Sequence, residues 1–111
     1  MIGDYLDAEE AYGFYIGTIE VLFGNNTKKV GELYFWLAIY YYRDLIHLEK
    51  ARLCFQKSYL ILEEYVEDND DRMKLAEINI NLGFLFKSQL KFQFSMHEFQ
   101  KGMKIYKETI G

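Results

Sequence analysis

His47 and Cys54 are the residues with the plainest capacity for chemistry, because an imidazole and a thiolate can both bind a metal ion. They lie seven residues apart and would share one side of a helix. Zinc takes four ligands, or three and a water molecule, and only His97 remains in the sequence to join them. We therefore expect no metal site, and interpret His47 as a polar surface residue and Cys54 as a buried thiol.

A second candidate is an acidic run in which Asp68, Asp70 and Asp71 resemble the start of a calcium-binding loop. In that register Arg72 takes a ligand position and Met73 takes the position that requires glycine. Acidic and amide side chains are also the usual caps of helix N-termini. The run is interpreted as a solvated linker that caps the next helix through one of three residues, Asn69, Asp70 or Asp71.

No arrangement in the sequence predicts catalysis. No serine or cysteine has a nearby histidine and acid in the pattern of a nucleophilic site. The paired carboxylates Glu9–Glu10 and Glu63–Glu64 resemble exposed helix faces, and no glycine-rich phosphate loop follows a strand. We therefore expect that the protein is not an enzyme and that it has no catalytic residue and no cofactor.

Long helices are expected to position the remaining candidates, because the chain has no proline, half of its 111 residues are apolar and 18% are aromatic. Helical periodicity predicts a single all-α domain over 1–111. The most apolar run, residues 33–42, is shorter than the roughly 20 residues that span a bilayer, so no membrane span is expected. The five predicted helices cover residues 4–23, 28–43, 45–66, 71–88 and 91–109.

The ends and the apolar sides of these helices are also predicted. Gly24 and the two following asparagines should stop the first helix. The predicted N-caps are Asp4, Thr27 and Asp44. On the first helix the expected apolar side holds Tyr5, Ala8, Ala11, Tyr12, Tyr15, Ile19 and Leu22. On the fifth it holds Phe92, Met96, Phe99, Met103 and Tyr106.

The last two helices resemble a tetratricopeptide (TPR) repeat. The matching residues are Asn81-Leu82-Gly83, Phe86, Phe92, Ser95, Phe99 and Gly102, although Ser95 and Gly102 replace the more usual alanines and no proline closes the unit. The pattern recurs, since Ala8, Ala51 and Ser95 are separated by 43 and 44 residues. That period exceeds the roughly 34 residues of the basic TPR and is closer to the long repeat of the kinesin light chain type.

The resemblance implies antiparallel hairpins stacked as a short right-handed superhelix of about five helices. In this family the first helix of each hairpin lines the concave face. The implied residues on the second helix are Glu32, Phe35, Trp36, Ile39, Tyr42 and Arg43. Those implied on the fourth helix are Glu77, Ile80, Asn81, Phe84, Lys87 and Ser88.

This face has an apolar centre and a charged rim, which suits a peptide or helix of a protein partner. The alternative places Phe35, Trp36 and Phe84 in the core. Members of the family that clamp a chaperone's C-terminal carboxylates use lysine, arginine and asparagine here. Phe35, Trp36 and Ile39 occupy those places in this chain and only Asn81 matches, so an apolar partner is favoured.

The expected function is a protein–protein interaction module within a larger assembly. Two alternatives stay open: a purely architectural subunit of a cytoskeletal or ciliary complex, and a regulatory domain that responds to a peptide. The net charge of −4 disfavours nucleic acid as a partner. One cysteine and the absence of a basic leader favour the reducing cytoplasm, with the cytoskeleton as an expected site.

The two flanks of the chain differ in charge. Residues 4–20 hold five acids and no base, while residues 87–107 hold five bases and one acid apart from His97. Apolar helix faces are expected at both ends, where a solenoid needs polar caps. The chain is therefore expected to be a segment of a longer array or a subunit held at its ends by neighbours, and the opposite charges favour end-to-end contact.

Overall fold

The structure, a computed structural model, describes residues 2–43 and 47–110, with side chains described over 9–43 and 47–110. Those residues contain no strand, and the all-α fold class is confirmed. The chain divides into two compact units, Met1–Ile61 and Leu62–Gly111, so a single continuous domain remains a prediction. The helices are α1 (Ile2–Phe23), α2 (Lys28–Tyr42), α3 (Leu48–Leu62), α4 (Asn69–Ser88) and α5 (Phe92–Ile110), with a 3₁₀ turn at Glu63–Tyr65.

The predicted end of α1 and start of α2 are confirmed. Gly24 follows α1 with a φ of 93°, a left-handed conformation that glycine adopts without steric cost. The Thr27 hydroxyl caps α2 by accepting a hydrogen bond from the Val30 backbone N–H at 3.3 Å. The predicted Asp4 cap is wrong, because α1 begins before it, at Ile2. Helix ends depend on a few backbone hydrogen bonds, which side-chain patterns locate only to within one or two residues.

The linker between α3 and α4 also differs from expectation. The α-helical part of α3 ends at Leu62 rather than 66, because its last turn tightens into the 3₁₀ form that is common at helix ends. Asp68 caps α4, accepting a hydrogen bond from the Asp71 N–H at 2.9 Å, so none of the three predicted residues is the cap. The expected start of α3 at residue 45 and its Asp44 cap lie outside the described residues.

In the first unit, α2 packs against both α1 and α3. Phe35 and Phe55 are fully buried and meet edge to face at 6.0 Å between ring centroids. The Ser58 hydroxyl donates a hydrogen bond of 2.7 Å to the Gly31 carbonyl oxygen, which joins α3 to α2 inside the core. The apolar run at 33–42 lies in this α2, and no helix within the described ranges is long and apolar enough to cross a membrane.

A polar contact joins α1 to the other two helices of the first unit. Glu9 accepts a hydrogen bond from the Tyr41 hydroxyl, and this bond is the main reason that the Glu9 pKa lies below its ordinary value. Lys50 on α3 adds an ion pair with Glu9 at 3.4 Å. The Tyr12 and Tyr40 rings contact each other at a tilt of 47°, with 6.1 Å between their centroids, so α1 lies against α2 through a mixed aromatic and polar contact.

In the second unit, two glycines let α4 and α5 cross closely. A Cβ atom added at Gly83 would lie 2.6 Å from the Phe99 ring, and one added at Gly102 would lie 2.8 Å from the Ile80 side chain. A side chain at Gly83 would have to displace the Phe99 ring, and one at Gly102 would have to displace the Ile80 side chain. Each helix therefore supplies a glycine that receives a bulky residue of the other, and the predicted close crossing at Gly83 is confirmed.

In each hairpin a buried serine forms a hydrogen bond across one crossing of the two helices. The Ser95 hydroxyl donates to the Gly83 carbonyl oxygen at 2.7 Å, as Ser58 does to that of Gly31. At each of these crossings the serine faces a glycine, which brings its carbonyl within reach. By the repeat, Gly31 and Ser58 of the first hairpin correspond to Ala76 and Gly102 of the second, where no serine is present. The two hairpins thus share a plan but place the hydroxyl at different crossings.

The turn between α4 and α5 contains a leucine in a backbone conformation that suits glycine. Leu90 has a φ of 61° directly after α4. Its N–H donates to the Lys87 carbonyl at 3.0 Å, and the Lys91 N–H donates to the Phe86 carbonyl at 2.9 Å. This pair of bonds is the Schellman motif, whose left-handed residue is usually glycine. The α4–α5 hairpin thus closes tightly at the cost of a strained, exposed leucine.

Replacing Leu90 with glycine is expected to raise the free energy of unfolding by about 1 kcal/mol, because the left-handed conformation costs a leucine roughly that amount. Urea denaturation followed by circular dichroism measures the change. Gly24→Ala is the matched control at the other left-handed position and should lower stability by a similar amount. A Leu90→Gly protein less stable than the wild type would contradict the strain at this turn.

Candidate protein-binding surfaces

The residues whose side chains could take part in chemistry each make a separate contact. The His47 ring lies edge to face on Tyr41, with 5.7 Å between ring centroids. Burial raises the pKa of the Cys54 thiol to about 11, which keeps it protonated and unreactive at neutral pH. Across the described part of the chain no three histidine, cysteine, aspartate or glutamate side chains come together as metal ligands.

The acidic linker serves helix capping. The Asp71 carboxylate accepts a hydrogen bond from the Glu67 N–H at 2.9 Å, while the Asp68 carboxylate accepts one from the Asp71 N–H. The Asp68 carboxylate thereby satisfies an N–H group in the first turn of α4, and the Asp71 carboxylate satisfies one in the linker that precedes it. The spacing that resembled a calcium loop is explained by this reciprocal capping.

On α2, neighbouring aromatic residues have opposite environments. Phe35 is only 2% exposed and belongs to the core, so its predicted place on the binding face is wrong. Trp36 is 52% exposed and stands edge to face on the Phe35 ring at 5.2 Å. The buried ring therefore supports an indole that presents about half of its surface to solvent.

The other predicted α2 residues surround this tryptophan to different degrees. Ile39 and Tyr42 are half-buried, and the Tyr42 ring lies 6.3 Å from that of Phe55. Arg43 is exposed, with its guanidinium 5.5 Å from the centre of the Tyr40 ring. A cation so placed is attracted by the ring face. Glu32 is half-buried one turn before Trp36 on the same helix.

On α4, Phe84 is the exposed aromatic residue. It is 49% exposed and rests edge to face on Phe99 of α5 at 5.0 Å. Ile80 is half-buried because its side chain enters the space at Gly102. Asn81 is also half-buried. The remaining predicted members of this side, Glu77, Lys87 and Ser88, are exposed.

Trp36 and Phe84 are therefore held in the same way. Each is a half-exposed aromatic side chain on the first helix of its hairpin, and each rests on a ring of the core or of the second helix. A ring held in this way loses little conformational entropy when a partner covers it. These two residues are the strongest candidates among the predicted binding residues.

Two further apolar surfaces lie on α1 and α5, whose apolar sides the sequence interpretation listed. On α1, Tyr15 and Leu22 are exposed, whereas Ile16 is buried in their place. On α5, Met96 and Met103 are exposed at half or more of their surface. Periodicity identifies an apolar side of a helix but not the neighbour that covers it. Two sequence signals pointed to these surfaces, the apolar helix faces expected at both ends and the charge difference between the two flanks.

A solved structure resembles this fold. The chain is similar to the crystal structure of BtubC (BKLC) from P. vanneervenii, with a TM-score of 0.88 and 23% sequence identity. The match covers 99% of this chain and 43% of that one, so the chain spans less than half the length of BtubC. The likeness shows a shared TPR-like helical repeat fold. No protein-family model matches the sequence, and no curated protein does.

Proposed function

We propose that this chain is a protein–protein interaction module of the TPR type, which docks a peptide or helix of a partner on α2 in the first unit and offers a second surface of the same kind on α4 in the second. The observation that carries the proposal is the exposed Trp36, supported from beneath by the buried Phe35. Tryptophan is the residue type most enriched among interface hot spots. The proposed role is non-catalytic and uses no cofactor.

The composition around the two aromatic residues indicates the chemistry of the partner. On α2 the exposed indole has Ile39 beside it and Arg43 at the helix end. On α4 the exposed phenyl ring of Phe84 is followed by Lys87. Each surface also has an acid one or two turns before the aromatic residue, Glu32 on α2 and Glu77 on α4. An apolar centre with acidic and basic edges fits a partner segment that offers large apolar side chains flanked by charges of both signs. A partner that offers only its terminal carboxylate fits less well, because little cationic surface lies at the centre.

Trp36→Ala is expected to weaken partner binding by about 2 kcal/mol or more, roughly 30-fold in Kd, if the indole is a hot spot. Peptides enriched from a phage-displayed library on the wild-type chain provide the ligands, and fluorescence anisotropy gives the Kd. Capture from a cell lysate, read by mass spectrometry with the same variant, then searches for the natural partner.

Leu53→Ala is the matched control, because Leu53 is equally exposed but lies on α3, the second helix of its hairpin. It should leave the Kd unchanged. Both variants should keep the helical signal of the wild type. The proposal fails if Trp36→Ala binds the selected peptides as tightly as the wild type, or if Leu53→Ala weakens binding as much.

An architectural role is the second candidate. The observation that favours it is the exposed apolar side chains of α1 and α5, which neighbouring subunits would cover in a fixed complex. Poor solubility of the isolated chain, with recovery when neighbours are co-expressed, would favour this role over a free peptide-binding module. Either role suits the reducing cytoplasm, since Cys54 is a free thiol.

A further inference from the structure

The outer side of α5 carries an exposed apolar row along its whole length. Phe92, Met96, Met103 and Ile110 are each at least half exposed, and they follow one another at intervals of 4, 7 and 7 residues. Those intervals place the four side chains on one side of a helix. We call these four residues the α5 ridge. Lys104 and Lys107 border a concavity of about 430 Å³ beside Met103.

The internal repeat indicates that the α5 ridge is built to contact a helix. Ile16 on α1 corresponds to Met103 through the same repeat intervals of 43 and 44 residues that relate Ala8 to Ser95. Ile16 is buried, and Tyr12, one turn away, packs on Tyr40 of α2. The corresponding side of α1 is therefore covered by the next helix of its own chain. The α5 ridge presents the same side without a covering helix among the described residues.

A complementary surface lies on α1. Gly13, Phe14, Gly17, Thr18, Val21 and Leu22 line a shallow apolar groove of about 460 Å³. We call these six residues the α1 groove. A Cβ atom added at Gly13 or Gly17 would meet no atom within 4 Å, so the space above both glycines is open. Open glycines permit a second helix to approach closely, and the methionines of the α5 ridge are flexible enough to fill such a groove.

Charge decides which pairing of these surfaces is favourable. α1 carries five acids and no base, and Glu10 and Glu20 lie one helical turn from the two groove glycines. The ridge has Lys104 and Lys107 at its edge with Glu108 beside them, so the edge is basic by one charge. Pairing two ridges would place lysines together, and pairing two grooves would place acids together, each at an electrostatic cost. Pairing a ridge with a groove joins opposite charges.

We propose that the α5 ridge of one copy of this chain docks in the α1 groove of a second copy, in a head-to-tail contact. Such a contact uses different surfaces on the two partners, so each added copy leaves one ridge and one groove for the next. The interaction is independent of the peptide-binding role of α2 and α4. Its electrostatic part weakens as salt screens the exposed charges.

The first test is the mass of the wild-type chain by size exclusion with light scattering, over a concentration series at about 0.05 M and about 1 M salt. The expected mass rises with concentration to at least twice that of the monomer at low salt, and high salt lowers it. A wild-type chain that stays monomeric at low salt and high concentration overturns the proposal, and leaves these surfaces to a different protein.

The second test blocks each surface separately. Gly17→Leu fills the groove without touching the fold, and its melting temperature should equal or exceed that of the wild type. Met103→Glu places an acid on the ridge, with Met96→Glu as the alternative should the first melt early. Each variant alone should be monomeric, with a Kd for self-association raised at least tenfold.

An equimolar mixture of the two blocked variants distinguishes a head-to-tail contact from a symmetric one. The intact ridge of Gly17→Leu can dock in the intact groove of Met103→Glu, and no free matching pair of surfaces then remains. The mixture should therefore form a dimer and no larger species. A mixture that remains monomeric, or a folded single variant that still assembles like the wild type, overturns the proposal.

Discussion

Replacing Phe35 with alanine is expected to lower the free energy of unfolding by about 3–5 kcal/mol, because it leaves a cavity at the centre of the first unit. Phe35 is 2% exposed and packs on both Trp36 and Phe55. Surrounding side chains relax only partly into such a space. Urea denaturation followed by circular dichroism measures the loss, and the melting temperature falls with it.

Trp36→Ala is the matched control for this substitution, since it removes a larger aromatic side chain from the adjacent position. About half of that side chain is already in water, so its loss should cost far less stability than the loss of Phe35. Equal destabilisation by the two variants would mean that Trp36 is a core residue. That result would also remove the main support for peptide docking on α2.

Gly83→Leu is expected to destabilise the protein by about 1–3 kcal/mol, or more, through overpacking. Even the first atom of the new side chain would lie 2.6 Å from the Phe99 ring, and that ring is itself packed on Phe84. The hydrogen bond from Ser95 to the Gly83 carbonyl would lengthen as the helices separate. Thermal melts followed by circular dichroism provide the measurement.

Gly17→Leu controls for the gain in helix propensity, because Gly17 is also inside a helix but has open space above it. It should raise stability by up to about 1 kcal/mol, the usual cost of a glycine in a helix interior. If Gly83→Leu melts as high as Gly17→Leu, α4 and α5 do not cross closely at Gly83.

The number of helices and the close crossing at Gly83 followed from the sequence, because both depend on local rules. Helical periodicity and turn residues act within a few positions of each other. A glycine within an apolar periodic stretch needs a packing reason, and Phe99 provides it. The Thr27 cap and the Gly24 stop belong to the same class of local signal.

The environment of individual aromatic residues could not be predicted in the same way. Phe35 and Trp36 are adjacent, apolar and similar in size, yet one is buried and the other half exposed. The difference comes from where α3 lies relative to α2, which no local pattern encodes. The same limit explains Ile16, which is buried on α1 although the predicted apolar side of that helix held Tyr15 and not Ile16.

The start of α4 could not be predicted to the residue, because several neighbouring residues are suitable caps. The acidic linker offers several carboxylates that can cap α4. In the structure Asp68 is the cap, and Asp71 in the first turn of the helix accepts a hydrogen bond from the Glu67 N–H. The choice depends on the backbone conformation of the linker, where Asp68 is extended while Asp71 already lies in the helix. Composition alone gives these acids nearly equal capacity as caps.

The serine and glycine pairs at the crossings bear on how the chain avoids pairing the wrong helices as it folds. If α3 packed on α4, Ser58 would take the place of Gly102, where even a Cβ atom lies 2.8 Å from Ile80. Such a swapped hairpin would still bury apolar side chains of both helices, so hydrophobicity alone would not reject it. The steric conflict at this one position would disfavour it, and so would help α4 to pair with α5 although the repeats are similar in sequence.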